Sequence, residues 1–257
     1  MKTNTKQYLS ALGVVIIATL VGAFATLNLT FLKGFENAAS DIRISALQPP
    51  EEQSKKIVLA TITEETVALF QYRSPVDREF LANLIMLLQA KGAKAIGIDV
   101  LLDSPTEIEK DSYLKETLRN ATVPLFFSYT NSPGVVTEDQ LEYLNDFVPE
   151  KFRAAANMAT DPFDGTVRWI FPGETNAGMP VSFPRKGAEI YGVDTSNLFK
   201  KEKETQTNLQ IAWRPKKDLE TPAFPEYPAH AVAVLPAEWF KDKIVLVGAK
   251  LSLEDRH

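Results

Sequence analysis

The longest uncharged segment of the chain lies near its N-terminus and constrains on which side of a membrane the remaining residues can fold. No charged residue occurs from Gln7 to Leu32, and the segment consists mostly of Leu, Val, Ile, Ala and Phe. A helix needs roughly 20 apolar residues to cross the hydrocarbon core of a bilayer. The segment therefore predicts a transmembrane signal-anchor helix at residues 7–32, with the lipid bilayer as its partner.

Lysines flank this segment and predict its orientation. Lys2 and Lys6 precede it, and Lys33 follows it. Basic residues before a first membrane helix favour retention of that end in the cytoplasm. We therefore predict a cytoplasmic N-terminus at residues 1–6 and an exported domain at residues 33–257.

A second interpretation of the same segment remains open. Ala23-Phe24-Ala25 has the small-residue pattern of a signal-peptidase site, and the two early lysines fit the start of a signal peptide. Cleavage there would release the protein rather than anchor it. Both interpretations predict export.

Composition excludes several kinds of site. The chain has no cysteine, so it can form neither a disulfide nor a thiolate metal site. It carries 28 Lys and Arg against 33 Asp and Glu, for a net charge of −5. An acidic surface gives no electrostatic reason to bind nucleic acid, so we expect no nucleic-acid partner.

The pattern of apolar residues predicts an α/β fold with a mostly parallel central sheet flanked by helices. The predicted strands are continuous apolar runs rather than alternating ones, which is typical of strands buried on both faces. The predicted strands are 57–62, 95–100, 122–128 and 244–248. The predicted helices are 78–91, capped by Asp77 and ended by Gly92, and 108–120.

Other segments carry weaker signals. A helix is predicted from the membrane segment to about Leu47, where Pro49-Pro50 stops it. Asp164-Gly165 predicts a tight turn before a hairpin strand at 167–171. A helix is expected at 183–191 and a short strand at 209–213.

The ordered set of these signals resembles the CHASE2 domain, an extracytoplasmic sensor module of bacterial transmembrane signalling proteins. No single piece is specific, but together they span nearly the whole chain in the expected order. The matching pieces are Asp41-Ile42-Arg43, the strand 57–62, Pro75 with Arg78, the segment from Gly92 to Val100, Asp164-Gly165-Thr166-Val167-Arg168 and the strand from Lys243 to Gly248. Family members usually have aromatic and proline residues around the arginine that corresponds to Arg78, and Tyr72-Arg73-Ser74-Pro75-Val76-Asp77 is a looser version of that pattern.

The resemblance implies a place in a larger receptor. Family members continue into further membrane helices and a cytoplasmic output domain, such as an adenylate or guanylate cyclase or a kinase. We expect such a continuation after residue 257, a homodimer, and a location in the bacterial inner membrane with residues 33–257 in the periplasm or extracellular space. The resemblance also implies a small ligand whose identity the sequence does not reveal.

Signatures of catalysis are absent from the sequence. It contains no G-x-S-x-G elbow, no phosphate-binding glycine loop and no H-E-x-x-H motif. His230 and His257 are the only histidines, so a histidine-based triad or zinc site is not expected. We assign no catalytic residue, no metal ligand and no cofactor to this segment.

Six charged residues form a candidate ligand site, with two interpretations. Asp99 ends a predicted parallel strand, where α/β sheets place groups that face ligands. In the functional interpretation, a polar pocket is lined by Arg78, Asp99, Asp103, Asp161, Asp164 and Arg168. In the structural interpretation, Asp99 caps a loop, Asp161 and Asp164 form Asx-turns, and Arg168 pairs with one of them to fix the hairpin.

Asp41 and Arg43 form a separate pair of candidates on the helix that follows the membrane segment. They could lock this stalk to the sensor domain, or they could be ordinary surface charges worth little individually.

Two other functions remain as alternatives. One is a membrane-anchored hydrolase that uses Asp99, Asp103, Asp161 and Asp164 with a metal. The other is a periplasmic binding protein released after Ala25.

Overall fold

The structure is a computed structural model that describes residues 5–28, 30–161, 163–171, 173, 178–198 and 209–252. The chain divides into two compact units, Met1–Pro50 and Glu51–His257. The helices are α1 Thr5–Asn28, α2 Thr30–Leu47, α3 Glu64–Val67, α4 Arg78–Ala90, α5 Ile108–Arg119, α6 Glu138–Phe147 and α7 Phe183–Tyr191. The strands are β1 Ile57–Ile62, β2 Ala95–Asp99, β3 Leu125–Tyr129, β4 Arg153–Ala155, β5 Ala159–Thr160, β6 Val167–Ile170, β7 Leu209–Gln210, β8 Glu226–Pro228 and β9 Ile244–Ala249. Short 3-10 helices cover Glu150–Phe152, Ala229–Val234 and Ala237–Trp239.

The N-terminal unit contains α1 and α2. Helix α2 ends at Leu47, as predicted, because Pro49 and Pro50 cannot continue it. Within the described residues, no helix combines the length and the apolarity needed to cross a membrane. This finding does not support the transmembrane helix predicted at residues 7–32, of which Leu29 lies outside the described residues.

A six-stranded parallel sheet forms the centre of the second unit. Its strand order is β4-β3-β2-β9-β1-β8, and every neighbouring pair is parallel. The last strand, β9, lies between β1 and β2, so that Val245 is in register with both Val58 and Ile96. The predicted α/β class with a mostly parallel sheet is confirmed.

Helices cover the two faces of this sheet unequally. Alternate residues of each strand point to opposite faces, so Ile96 and Phe127 lie in the larger core with α4, α5 and α6. Phe126 and Ala95 belong to a smaller cluster on the other face, where α7 packs against β2, β3 and β4. The larger core is therefore closed by several helices, and the smaller one chiefly by α7.

Gly97 in β2 is required by a close approach on the α7 face. A Cβ atom at this position would lie 2.5 Å from the Phe126 ring and 2.9 Å from Leu246. The absence of a side chain lets the Phe126 ring lie across β2. Glycine in a strand interior often marks such an approach.

A second, antiparallel sheet has the order β5-β6-β7. It contains the hairpin predicted around Asp164-Gly165, and Gly165 adopts a positive φ of 73°. The strand predicted from Thr122 begins instead at Leu125. Pro124, which has no N–H to donate, directly precedes that first strand residue.

Candidate functional site

The first candidate residues lie at the carboxyl end of β2, next to β3. Asp99 is the last residue of β2, and its Oδ1 accepts a hydrogen bond from Ser128 Oγ in β3. Asp103 and Ser104 follow in the loop after β2, and the Ser104 hydroxyl donates to Asp103 Oδ1 at 3.3 Å. Open α/β sheets bind ligands outside this edge. The structure thus places Asp99 and Asp103 where such sites form.

Arg78 is positioned by the start of α4. It is the first residue of the helix, after the N-cap Asp77, whose Oδ1 accepts from the Phe80 N–H at 2.8 Å. Lys110 holds the other Asp77 oxygen at 2.6 Å. The Arg78 side chain is completely buried. A fully buried arginine is rare and requires specific partners.

Those partners come from four parts of the fold. Arg78 Nη2 donates to the Ser104 carbonyl at 2.9 Å, and Nη1 donates to the Val76 carbonyl at 3.3 Å. The Nε lies 3.7 Å from Asp111 Oδ1 and makes no hydrogen bond. The guanidinium carbon is 5.7 Å from the centroid of the Phe147 ring. The charge is thus buried, and its Nε has no hydrogen bond among the described residues.

Asp111 and Asp103 tie neighbouring elements to this arginine. Asp111, in the first turn of α5, accepts from Thr106 Oγ1 at 2.6 Å and from the Tyr143 hydroxyl at 2.8 Å. Asp103 Oδ2 accepts from Gln140 Nε2 at 2.7 Å. Tyr143 and Gln140 both belong to α6. We call this set, Arg78, Asp103, Asp111, Gln140 and Tyr143, the Arg78 cluster.

Burial sets the electrostatics of the Arg78 cluster. Loss of water lowers the pKa of Arg78, and the nearby Tyr143 and Asp111 partly offset that change. Burial, followed by the hydrogen bond to Asp111, raises the pKa of the Tyr143 hydroxyl well above its usual range. Arginine nevertheless stays charged and tyrosine neutral near pH 7. The cluster can therefore hold α4, α5, α6 and the loop after β2 in one arrangement.

The loop that leads into α4 has its own contact. Tyr72 donates its hydroxyl to Glu107 Oε2 at 2.6 Å, and Lys110 Nζ lies 3.1 Å from Glu107 Oε1. The hydrogen bond from Tyr72 is the largest cause that lowers the pKa of Glu107 to about 2. The loop residue Tyr72 is thus attached to the start of α5.

Asp161, Asp164 and Arg168 lie together in the hairpin. Arg168 Nη1 is 2.7 Å from Asp161 Oδ2, and Nη2 is 2.6 Å from Asp164 Oδ2. The two carboxylates also accept backbone N–H groups two residues ahead, at 2.8 Å for Asp161 and 3.0 Å for Asp164. Arg168 and Asp161 are about 5 % exposed. These are the contacts that the structural interpretation of these three residues requires.

Asp41 and Arg43 are the remaining candidates from the sequence. Asp41 and Arg43 lie in α2, where Arg43 Nη2 donates to Ser40 Oγ at 3.4 Å. His230 Nδ1 is 2.8 Å from Thr66 Oγ1. In the part of the chain that the structure describes, no three acidic or histidine side chains are grouped so that they could hold a metal ion.

Sequence reasoning missed Asp111, Gln140 and Tyr143. Asp111 lies in the helix predicted at 108–120, but no signal in the sequence singled it out. A local signal for α6 was present, because Thr137 and Gln140 form a capping box with the Thr-x-x-Gln spacing. That signal locates the helix, whereas the contacts to Asp103 and Asp111 depend on the tertiary fold.

Comparison with models of known protein families identifies the family of the chain. The model of the CHASE2 domain matches residues 13–257. The chain belongs to the CHASE2 domain family. CHASE2 domains are extracytoplasmic sensor domains of signalling proteins. No curated protein and no solved structure matches this CHASE2 chain.

Proposed function

We propose that this CHASE2 domain is the input module of a bacterial membrane-bound receptor. It binds a small ligand outside the cytoplasm and controls an output domain, a nucleotide cyclase or a kinase, that is absent from these residues. The observation that carries the proposal is the family match over residues 13–257. The Arg78 cluster supports a role in switching, because it joins three helices and one loop around one buried charge.

The surface of α1 supports attachment to a membrane. Large apolar side chains are exposed all around this helix, which is unfavourable in water. They are Leu12, Val14, Val15, Ile16, Ile17, Leu20, Val21 and Phe24. A bilayer would cover all of them at once.

The switching step requires two arrangements of the domain. A ligand shifts their populations only if it binds one of them more tightly. The Arg78 cluster joins three helices and one loop through a buried charge, so they can separate only if that charge finds new partners. We propose that the helices around Arg78 change together, and that α2, through Asp41 and Arg43, passes the change towards the output domain of a homodimer.

The proposed location of the domain outside the cytoplasm is tested with reporter proteins fused after Ser252. Alkaline phosphatase, which is active only outside the cytoplasm, should be active at this position, and a cytoplasmic fluorescent reporter should be dark. A carbonate wash should leave the fusion with the membrane fraction. A bright fluorescent fusion with inactive phosphatase would contradict the proposal, and release by carbonate would contradict the attachment.

The role of α2 is tested in the intact receptor. Asp41→Ala should change basal or stimulated output, while Glu36→Ala, an exposed acidic position on the same helix, should not. Thermal unfolding of both variants should match that of the unmodified protein. Equal output from the two variants would count against Asp41.

A further inference from the structure

A cavity of about 350 Å³ opens on the sheet face that carries α7. Its volume lies within the range of small-molecule pockets. Its walls come from β1, β9 and α7, with Phe126 of β3 at the base. The residues on which the argument depends are Lys56, Ile57, Phe126, Ala188, Tyr191 and Leu246. Apart from Lys56, these walls are almost entirely apolar.

The cavity exists because one helix covers only part of this face. Helix α7 packs over β2, β3 and β4, and leaves Ile57 of β1 and Leu246 of β9 partly exposed. Strands of a parallel sheet are normally covered on both faces. Gly97 and Gly187 make room for the Phe126 ring, since a Cβ on either would lie within 3.3 Å of it. Among the described residues of the second unit, the groove is thus a defined apolar surface that stays open on one side.

The ammonium group of Lys56 lines this groove, and that of Lys94 contacts Tyr191, which also lines it. Lys94 Nζ lies 4.0 Å and Lys56 Nζ lies 5.2 Å from the centroid of the Tyr191 ring. Lys94 also donates to the Tyr191 carbonyl at 3.0 Å. In the described residues, neither lysine forms an ion pair with a carboxylate. Two like charges that meet at one ring favour an anion beside them.

We propose that this groove binds a small amphiphilic anion of the medium-chain fatty-acid class. The alkyl chain would lie along Ile57, Phe126 and Leu246, and the carboxylate would lie at Lys56 and Lys94. Binding would remove apolar surface from water at roughly 0.8 kcal/mol per buried methylene. Charge complementarity at the rim favours this occupant over a neutral hydrophobic ligand. Only the claim that such a ligand is the signal rests on the proposed sensor function.

The test uses the complete chain and isothermal titration calorimetry with decanoate. Decanoate should bind with one site per chain. Decanol, which has the same chain without the charge, should bind at least about fivefold more weakly. Lys56→Gln should weaken decanoate binding by a similar factor. Lys55→Gln is the matched control, because Lys55 is the exposed neighbour that does not line the groove. No binding of decanoate, or equal binding of decanol, would overturn the proposal.

A second variant separates the groove from other apolar surfaces such as α1. Ala188→Trp on α7 would fill the groove and should abolish decanoate binding while the melting temperature without ligand is retained. Unchanged binding in this variant would place decanoate elsewhere and overturn the proposal. Binding that passes these tests without any effect on receptor output would leave the groove as a binding site and contradict the claim that this ligand is the signal.

Discussion

The Nε of Arg78 lies 3.7 Å from Oδ1 of Asp111, and this contact joins the first turn of α4 to the first turn of α5. The arginine is fully buried, whereas the aspartate retains 14 % of its side-chain exposure. Removing one partner of such a pair leaves the other charge without compensation. The stability of the domain should therefore depend strongly on Arg78.

Arg78→Met should lower the free energy of unfolding by about 3 kcal/mol, because Asp111 and the Ser104 carbonyl lose their partner. Urea denaturation of the chain measures this loss. Arg73→Met removes a largely exposed pair with Glu64 and is the control that should change little. A similar small effect in both variants would show that the buried contact adds no stability.

Acid should weaken the contact between Tyr72 and Glu107. The pKa of Glu107 falls from 4.5 to about 2 in the folded protein, with the hydrogen bond from Tyr72 as the largest cause. A lowered pKa stabilises the folded state above about pH 4.5, and this contribution is lost as the pH falls towards 2. Tyr72→Phe should therefore be less stable than the unmodified protein near pH 6, and the difference should shrink near pH 2.

Urea denaturation at several pH values checks this dependence. Tyr113→Phe is the matched control, because its hydroxyl donates to the uncharged Asn83 side chain at 3.0 Å. Its effect on stability should be the same at both ends of the range. An effect of Tyr72→Phe that is equally independent of pH would contradict the assignment.

Arg168→Ala should destabilise the protein by about 3 kcal/mol, because it leaves the buried Asp161 carboxylate without its cation. Arg119→Ala, at an exposed position in the last turn of α5, is the comparison variant that should change little. Thermal unfolding of the two variants measures the difference. Unaltered stability of Arg168→Ala would favour the functional interpretation, in which this arginine faces a ligand.

Gly97→Ala should lower the free energy of unfolding by about 1–3 kcal/mol, because the added methyl group would lie 2.5 Å from the Phe126 ring. Gly248→Ala tests the general effect of alanine in a neighbouring strand, since its Cβ would lie 3.6 Å from Asp99, an ordinary contact. Chemical denaturation distinguishes the two substitutions. Equal losses would show that the close approach at Gly97 is relieved by movement of the ring.

Local signals in the sequence predicted several of the individual elements, although α6, β4 and β8 were missed. The strand at 57–62 and the helix at 183–191 have the bounds that were predicted. Helix α4 begins after its cap Asp77, and Gly92 has a positive φ of 78° just beyond the end of the helix. Apolar runs, capping residues and glycines act within a few residues, so they can be recognised without knowledge of the fold.

Long-range relationships could not be predicted in this way. The position of β9 between β1 and β2 depends on pairing between residues about 150–190 positions apart. Arg78 and Asp103 were both named as candidates, but the link through Ser104 depends on the loop after β2. The contacts of Tyr143 and Gln140 require α6 to pack beside that loop. Functional roles for the charged residues remain predictions.

The central claim is that α2 passes a signal to the output domain. The most direct test measures the output of the intact receptor after residues are inserted into α2. One alanine inserted after Ser45 rotates the following residues by about 100°, whereas seven inserted residues restore the original phase to within about 20°. We expect the single insertion to abolish regulated output and the seven-residue insertion to retain it. Regulated output that survives both insertions would contradict signal transmission through this helix.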